Sequence, residues 1–306
     1  MILADNLVRR YGNVTAVDGV SFSIDSGQVV GLLGHNGSGK TTIMKMLTGF
    51  LEPTEGHIEI DGLAMNRDAR AIQASIGYLP ENCPIWLDMT VADYLDYQGC
   101  LHGVSEVKRG AAILRAIERT GLTDRATHLI RALSRGYRQR VGVAQAILHQ
   151  PKIVILDEPT NGLDPTQILQ MRELIRDLAT QSTVLISTHV LQEVQAVCER
   201  VLILRNGQLA LDSLISELDK GGRLLLSVNA DARNVLARVQ GIVSVEEQSV
   251  EAGQVTYAIE STADVAHQVA HAVHAAGLRL YRLQPEARNL ETVFADVNEG
   301  RIGVDS

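Results

Sequence analysis

Apolar runs and helical repeats alternate along most of the chain. Residues 152–158 are an almost continuous apolar run, which is typical of a strand buried on both faces of a parallel sheet, and the run at 183–189 predicts a second buried parallel strand. A shorter strand-like run covers residues 29–33. Apolar positions at helical spacing follow these three runs, at 42–47, 165–179 and 191–198. Such strand and helix units predict a doubly wound α/β sheet, whose ligands lie at the carboxyl ends of its strands.

Other patterns surround this predicted sheet. Residues 2–24 alternate apolar and polar positions in short runs broken by turns, which indicates an antiparallel β subdomain. From 82 to about 150 the pattern becomes helical and predicts an inserted helical subdomain. A hairpin with an Asn-Gly turn is predicted at 201–210. All of these elements belong to a predicted first domain at 1–215.

The C-terminal part begins a new series of patterns. Strands and helices in the order β-α-β-β-α-β are predicted at 224–228, 230–240, 243–249, 255–259, 262–276 and 278–283. This order is the split βαβ arrangement, so residues 222–300 are expected to form a small ferredoxin-like α+β domain. A short helix at 289–294 is expected near the end, with a frayed tail from residue 300.

Candidate chemistry first appears in the turn between the strand at 29–33 and its helix. The residues concerned are Gly34, His35, Asn36, Gly37, Ser38, Gly39, Lys40, Thr41 and Thr42. The first eight, called the phosphate loop below, match G-x-x-x-x-G-K-[ST] in the strand-loop-helix context that the motif requires. Its glycines allow backbone N–H groups to turn toward a phosphate chain, and the helix N-terminus adds unpaired N–H groups. We expect Lys40 to reach the β- and γ-phosphates and the Thr41 hydroxyl to bind Mg²⁺.

Two carboxylates, Asp157 and Glu158, end the apolar run at 152–158, and Pro159 prevents the strand from continuing. Asp157 is expected to hold Mg²⁺, and Glu158 to act on an attacking water. Paired carboxylates are common on protein surfaces, but these follow a buried strand in a chain that has a phosphate loop. His189 ends the next apolar run and is expected at the same sheet edge as Asp157 and Lys40.

Length and charge narrow the function class. The 306 residues suggest two domains, and a net charge of −8 provides no global basic field for nucleic acid. Three scattered cysteines, Cys83, Cys100 and Cys198, favour a reducing compartment. We find no signal-peptide pattern and no apolar run long enough to span a membrane. A cytoplasmic protein without a membrane span of its own is therefore expected.

A further motif points to one family. Residues 133–140, called the signature segment below, read Leu-Ser-Arg-Gly-Tyr-Arg-Gln-Arg and resemble the LSGGQ-type signature of ABC-transporter ATPase subunits. Residues 161–164 match the loop that follows the carboxylates in that family, and His189 matches its switch histidine. The resemblance covers roughly residues 1–215 with every element in order. It implies a P-loop ATPase that works as a homodimer, in which ATP lies between one copy's phosphate loop and the other copy's signature.

The resemblance also implies roles for single residues. Tyr11 would stack on adenine, although most strand tyrosines are packing residues. Ser134 and Gly136 open a predicted helix and would form a second anion site. Asp164 belongs to the matching loop and is counted with the nucleotide-binding residues. Glu158 would be the general base, and His189 would contact the γ-phosphate although a lone histidine at a strand end more often packs.

The chain departs from the family pattern at two positions. Arg135 stands where the family usually has a second glycine, so a cation would lie beside the phosphate site. Glu81 stands where the family usually has glutamine. A carboxylate binds Mg²⁺ more strongly, but the γ-phosphate repels it unless the metal screens the charge. We expect Glu81 to join Thr41 and Asp157 as a metal ligand.

Residues 77–82 and 86–91 resemble a narrower branch, the ATPase subunits of ABC-2-type exporters. That branch includes gliding-motility-associated and copper-site-maturation subunits. Such subunits dock a membrane permease beside the position of Glu81, which would involve residues 83–87, with Tyr94 and Tyr97 either in the interface or in a buried core. The protein would then lie at the inner face of the cell membrane, held there by its permease.

A competing class is the soluble ABC ATPases that act on ribosomal or nucleoprotein partners. Those on ribosomes usually carry two cassettes, and those on chromosomes separate the two nucleotide motifs by a long coiled coil. This chain has one cassette with both motifs inside its first 160 residues. A third possibility gives the C-terminal domain a sensing or dimerising role that regulates the ATPase.

Overall fold

The computed structural model describes residues 1–218, 223–251, 253–261, 264–285 and 290–300. It divides into two compact units, Met1–Ile215 together with the end of the chain from Asp296, and Ser216–Ala295. The expected start of a second domain at 222 and the expected tail beyond 300 lie outside the described residues.

The elements of the first unit include the predicted strands and helices in order, together with a strand at Leu63–Ala64 and a helix at Met65–Ser75 that the sequence pattern did not predict. They are β1 (Ile2–Tyr11), β2 (Val14–Ile24), β3 (Val29–Leu33), α1 (Lys40–Leu47), β4 (Glu55–Ile60), β5 (Leu63–Ala64), α2 (Met65–Ser75), β6 (Ile76–Leu79), α3 (Val91–Leu101), α4 (Glu106–Arg119), α5 (Arg135–Ile147), β7 (Ile153–Asp157), α6 (Pro165–Ala179), β8 (Thr183–Thr188), α7 (Leu191–Val197), β9 (Arg200–Arg205) and β10 (Gln208–Leu214).

A six-stranded sheet in the order β10-β9-β3-β8-β7-β6 forms the centre of this unit. Its strands pair in parallel from β9 to β6, and β10 returns antiparallel to β9. All residues of β3, β7 and β8 are buried, which explains why their sequences lack polar alternation. A second, antiparallel sheet in the order β2-β1-β4-β5 shares one hydrophobic cluster with α1 and the parallel sheet. The predicted α/β fold class is confirmed.

Helices α3, α4 and α5 lie between β6 and β7 in the chain and form the predicted helical insertion. Helix α3 begins where Thr90 accepts a hydrogen bond from the Asp93 N–H at 3.1 Å, and α5 begins with Ser134 as its cap. Helix α4 begins at Glu106 and ends at Arg119, inside the range predicted to be helical. Helix α2 was not predicted, because Ile72 is its one fully buried position and leaves little apolar periodicity to recognise.

The second unit contains α8 (Ile215–Leu218), β11 (Leu224–Val228), α9 (Arg233–Leu236), β12 (Ile242–Glu251), β13 (Gln254–Ser261), α10 (Ala266–Ala275), β14 (Leu280–Pro285) and most of α11 (Leu290–Glu299). Its antiparallel sheet has the order β12-β13-β11-β14, which is the order of a ferredoxin-like domain. No helix in the described part of the chain is long and apolar enough to cross a bilayer.

Two helices of the second unit differ in length from their predictions. Helix α9 is a single turn, whereas 230–240 was predicted. The buried Tyr257 hydroxyl accepts from the Ala232 N–H at 3.2 Å and donates to Asp231 at 2.7 Å, which fixes the backbone before the turn. Helix α11 ends at Glu299, five residues beyond the predicted end, while residue 289 lies outside the described residues.

Gly77 offers a test of how closely β6 approaches α5. A Cβ at Gly77 would stand 2.1 Å from the Ala146 carbonyl oxygen, and backbone yields less readily than a side-chain tip. Gly77→Ala is therefore expected to lower the free energy of unfolding by about 1–3 kcal/mol. In the matched control, Gly110→Ala, the exposed site in α4 has no atom within 4 Å. That change should raise stability by about 0.5–1 kcal/mol. Urea titration measures both, and equal effects would contradict the close approach.

A candidate phosphate-binding site at the carboxyl edge of the parallel sheet

A cavity of about 380 Å³, called the phosphate cavity below, opens at the carboxyl edge of the parallel sheet. Its lining residues come from the phosphate loop, helix α1, strand β2 and the segments that follow β6 and β7: Ala16, Asn36, Gly37, Gly39, Lys40, Thr41, Thr42, Glu81 and Glu158. Residues that are far apart in the sequence thus meet at the edge where the strand pattern predicts ligands.

The backbone shapes the phosphate loop. Gly39 has φ 104° and precedes α1, and a Cβ at this position would stand 2.7 Å from the Ala16 carbonyl oxygen. No side chain caps the N-terminus of α1. The N–H groups of its first turn have no partners within the helix, so they are available to an anion at the positive end of the helix dipole.

Lys40 is the buried cation of the phosphate cavity, with 6% of its surface exposed. Its ammonium donates hydrogen bonds to the carbonyl oxygens of Gly34 and His35, at 2.7 and 3.1 Å. The nearest carboxylate oxygen, Glu158 Oε1, lies 4.0 Å away. Burial lowers the pKa of Lys40, and the charges of neighbouring carboxylates oppose this shift. Because the loop carbonyls hold the ammonium without neutralising it, its charge is available to a phosphate group.

Glu158 is held in an uncommon backbone conformation with φ 51°. Its N–H donates to the Ser187 carbonyl oxygen at 2.9 Å. Both of its carboxylate oxygens contact His189 Nδ1, at 3.0 and 2.9 Å. Burial raises the pKa of Glu158, while the hydrogen bond and charge of His189 and the charge of Lys40 oppose this shift. The pKa remains raised, so the carboxylate is a stronger proton acceptor than an exposed glutamate.

Asp157 meets the requirements of a hard metal ion. The residue is buried, and its Oδ1 accepts a hydrogen bond from the Ser187 hydroxyl at 2.5 Å. The Oδ2 atom is buried without a hydrogen-bond partner. Thr41 and Glu81 line the adjoining phosphate cavity and supply further oxygen atoms. Because Mg²⁺ binds one or two carboxylates together with substrate phosphates, these three residues suit it chemically.

Sequence analysis did not identify Ser187 as a site residue. In the parallel register it lies opposite Asp157, on the neighbouring strand. The available signal was the hydroxyl of Ser187, two residues before the end of the run at 183–189. That signal could be interpreted only once the pairing of β7 with β8 was known.

The signature segment packs closely against the loop at 161–164 and the first turn of α6. A Cβ at Gly136 would stand 2.3 Å from Gln167 Oε1, and a Cβ at Gly162 would stand 2.4 Å from Arg135 Cζ. The guanidinium of Arg135 therefore lies on Gly162, in the space that a side chain there would need. Arg135, which stands where the family usually has a glycine, thus packs on Gly162 of the same chain.

Some predicted site residues lie outside the lining of the phosphate cavity. They are Gly34, His35, Ser38, Asp157 and His189, which neighbour or contact lining residues, and the four more separate residues Tyr11, Ser134, Gly136 and Asp164. Ser134 caps α5, and Asp164 caps α6 in a capping box that includes Gln167. Tyr11 is exposed, and the guanidinium carbon of Arg9 lies 4.8 Å from the centre of its ring. The nucleotide contacts expected of these four residues therefore remain predictions.

Comparison with known proteins finds one family. The family described as "ABC transporter" matches residues 17–161. An uncharacterized ABC transporter ATP-binding protein, YxlF of Bacillus subtilis (strain 168), is 38% identical over 218 residues, which cover 71% of this chain and 72% of the relative. The linearmycin resistance ATP-binding protein LnrL of the same organism is 29% identical over 311 residues. That match covers 97% of this chain and 98% of the relative. The bacitracin transport ATP-binding protein BcrA of Bacillus licheniformis is 35% identical over 236 residues, 76% of each chain.

Solved structures agree with this result. The chain superposes on an ATP-binding subunit of an ABC transporter with a TM-score of 0.66 and 27% identity, covering 72% of this chain and 92% of that one. It also superposes on the bacterial ABC transporter cassette MJ0796, which was solved as a dimer. That match has a TM-score of 0.65 and 25% identity and covers 70% of this chain and 98% of the other.

The contact between Arg135 and Gly162 can be tested by a double-mutant cycle. Gly162→Ala combines backbone strain at φ 73° with the overlap on the guanidinium, so we expect it to lower the free energy of unfolding by about 1–3 kcal/mol. Arg135→Ala should have little effect alone. It should partly rescue Gly162→Ala, because the strain then remains without the overlap. Thermal unfolding measures all three variants, and simple additivity would rule out the contact.

Proposed function

This chain belongs to the ABC transporter family as an ATP-binding, ATP-hydrolysing subunit, and from that premise we propose that it powers an ABC-2-type membrane permease that works as an exporter. The observation that carries the proposal is an open apolar groove beside the phosphate cavity. Both features share the chain segment that ends β6.

The groove, called the docking groove below, has a volume of about 320 Å³. Its lining is uncharged: Thr48, Phe50, Gln73, Ile76, Tyr78, Pro80, Pro84, His102, Gln145 and Ala146. Phe50 is 76% exposed, and its ring centre lies 5.9 Å from that of Tyr78. A large aromatic side chain left in solvent above an apolar groove marks a protein interaction surface.

Two stacked histidines at the docking groove also behave as apolar groups. The ring centres of His102 and His149 lie 4.2 Å apart, and the rings are nearly parallel. Burial lowers the pKa of His149 to about 4 and lowers the pKa of His102 as well, so both rings are largely neutral at pH 7. A partner segment in this groove would therefore meet aromatic and aliphatic surface rather than charge. That chemistry suits an apolar helix on the cytoplasmic side of a permease.

The aromatic residues predicted near this interface divide into two groups. Tyr94 is fully buried and its hydroxyl donates to Gln145, so it belongs to the core of the helical insertion. Trp86 is about half exposed and its ring centre lies 4.8 Å from that of Tyr97, but neither residue lines the docking groove. Pro84 is the member of the predicted 83–87 segment that does. We therefore centre the proposed permease contact on Phe50 and Pro84.

The proposed reaction uses the residues of the phosphate cavity directly. Lys40 and the first-turn N–H groups of α1 bind the phosphate chain of ATP. Bound Mg²⁺, held by Thr41, Asp157 and Glu81, would neutralise charge on the phosphates. Glu158 accepts a proton from the water that attacks the γ-phosphorus, while the bond to the bridging oxygen of ADP breaks. His189 holds the Glu158 carboxylate through its Nδ1 contact.

The proposed working unit is a homodimer with its two copies head to tail. MJ0796 was solved as a dimer. In such an arrangement Ser134 and Gly136, at the N-terminus of α5, would face the ATP of the other copy. Their absence from the cavity lining of one chain agrees with this assignment, and a helix N-terminus is suited to an anion.

The direction of transport is proposed from two named relatives. One is an ATP-binding protein of linearmycin resistance and the other of bacitracin transport. Resistance to a toxic compound suits export better than uptake. The match to the linearmycin protein also includes the second unit, because it covers 97% of this chain. We therefore propose that the permease moves a compound out of the cell and that the protein lies at the inner face of the membrane.

Glu158→Gln tests the reaction. The variant keeps the cavity shape but cannot accept a proton, so we expect near-normal binding of MgATP with turnover reduced on the order of 10²- to 10⁴-fold. ATP should then hold the protein as a stable dimer, which size-exclusion chromatography with and without MgATP would detect. Glu173→Gln, on the exposed surface of α6, is a control for loss of a glutamate. Turnover close to normal would remove Glu158 from the role of base.

Phe50→Ala tests the permease. Tagged protein that carries Glu158→Gln is recovered from native membranes with MgATP, and co-purified proteins are identified by mass spectrometry. We expect a polytopic membrane protein in comparable amount and its loss when Phe50→Ala is added, because the docking groove loses its most exposed aromatic side chain. Val107→Ala removes an exposed side chain from α4 as a control. Ribosomal or nucleoprotein partners in place of a membrane protein would contradict the transporter proposal.

A further inference from the structure

A buried carboxylate lies behind the candidate site, on α7. Glu193 is 6% exposed, and both of its oxygen atoms accept hydrogen bonds from hydroxyl groups. Oε1 accepts from Thr160 Oγ1, and Oε2 accepts from Thr188 Oγ1 at 3.0 Å. Within the part of the chain that the structure describes, no lysine or arginine forms an ion pair with Glu193. Burial of a carboxylate without a cation is costly, so this group calls for a physical explanation.

The two threonines belong to the segments that carry the paired functional residues. Thr188 ends β8 and immediately precedes His189, while Thr160 lies two residues after Glu158. Both threonines are buried. Through its two oxygen atoms, Glu193 therefore joins the turn that carries His189 to the loop that follows Glu158.

Further hydrogen bonds fix the His189 turn around this carboxylate. The Val190 N–H donates to Thr188 Oγ1 at 3.1 Å, and the Glu193 N–H donates to the Val190 carbonyl oxygen at 3.1 Å. The Thr188 hydroxyl thus donates to Glu193 while it accepts from the backbone just beyond His189. Loss of the Thr188 hydroxyl or of the Glu193 carboxylate would remove hydrogen bonds that hold the chain next to His189.

Glu158 has a particular need for an anchor after it. Its φ of 51° is unfavourable for a residue with a side chain, and the surrounding structure must hold it. The Ser187 carbonyl oxygen fixes its N–H. The next residue, Pro159, has no N–H to donate. Thr160 supplies the first side-chain anchor downstream of Glu158, and it is bound to Glu193.

We propose that Glu193 is a positioning residue for ATP hydrolysis, because it links the two segments whose side chains, Glu158 and His189, must stay paired. The inference rests on the proposed roles of these two residues. Glu193 does not line the phosphate cavity, so nucleotide binding should be largely independent of it. Its effect is expected in turnover, where a displacement of about 1 Å can cost on the order of 10²-fold.

The test compares matched substitutions at the two threonines. Thr188→Val removes the hydroxyl at nearly constant volume, whereas Thr188→Ser keeps it, and the same pair is made at Thr160. We expect both valine variants and Glu193→Gln to lower kcat roughly 10- to 100-fold, with the Kd of MgATP changed less than about threefold. Both serine variants should retain most of the turnover. Equal turnover in the valine and serine variants would overturn the proposal.

A second set of variants, made in His189→Ala protein, separates a positioning role from a general loss of structure. In His189→Ala protein the pairing is already lost, so addition of Glu193→Gln should lower single-turnover hydrolysis by less than about threefold. A merely structural role would lower hydrolysis by the same factor in both backgrounds, and would lower the unfolding temperature and MgATP binding with it. If Glu193→Gln fails to fold, the threonine pairs alone decide the outcome.

The outcome for Glu158→Gln distinguishes the two proposals. Normal turnover in that variant would mean that the proposed reaction site is wrong, and the positioning inference would fail with it. Lost turnover in Glu158→Gln together with normal turnover in Glu193→Gln and Thr188→Val would leave the reaction site intact and reject the positioning role alone.

Discussion

The parallel pairing of β7 with β8 is the constraint on which the rest of the site depends. Residues face each other in an unbroken register that ends with Asp157 opposite Ser187. Glu158 follows Asp157 directly, and His189 comes two residues after Ser187, just after β8 ends, so the two side chains leave neighbouring strands within contact. A slip of one residue would turn the buried apolar side chains to the opposite faces of the sheet. The close packing of these side chains on both faces therefore holds the register that brings Asp157 beside Ser187.

The cost of buried charge explains why the phosphate cavity is arranged as it is. Lys40, Asp157 and Glu158 are all buried, and desolvation disfavours the charged forms of Lys40 and Glu158. The carbonyl oxygens of the phosphate loop hold the ammonium, while one oxygen of Asp157 is left without a partner. Bound phosphate and metal would supply the missing counter-charges. The unpartnered Asp157 oxygen and the buried Lys40 ammonium therefore suit a ligand that brings both a cation and phosphate oxygens.

Sequence alone predicted the elements that have a strong local signal. The phosphate loop, the apolar strands and the carboxylates after β7 could be found because spacing and composition identify them without knowledge of neighbours. Ser187 and the contact of Arg135 with Gly162 could not, because each depends on which segments meet in space. The one-turn helix α9 was over-predicted for a related reason: the Tyr257 hydroxyl, which fixes the backbone before it, comes from a distant strand.

The same close packing links the docking groove to the phosphate cavity. Tyr78 and Pro80 line the groove while Glu81, the next residue, lines the cavity. Gly77 brings β6 against the backbone of α5, and the signature segment begins α5. Under the proposed docking, a partner that shifts β6 would also shift Glu81 and, through the contact of Gly77 with Ala146, helix α5. By linkage, nucleotide that favours one arrangement of these elements would then change the affinity of the groove for the proposed partner to the same extent.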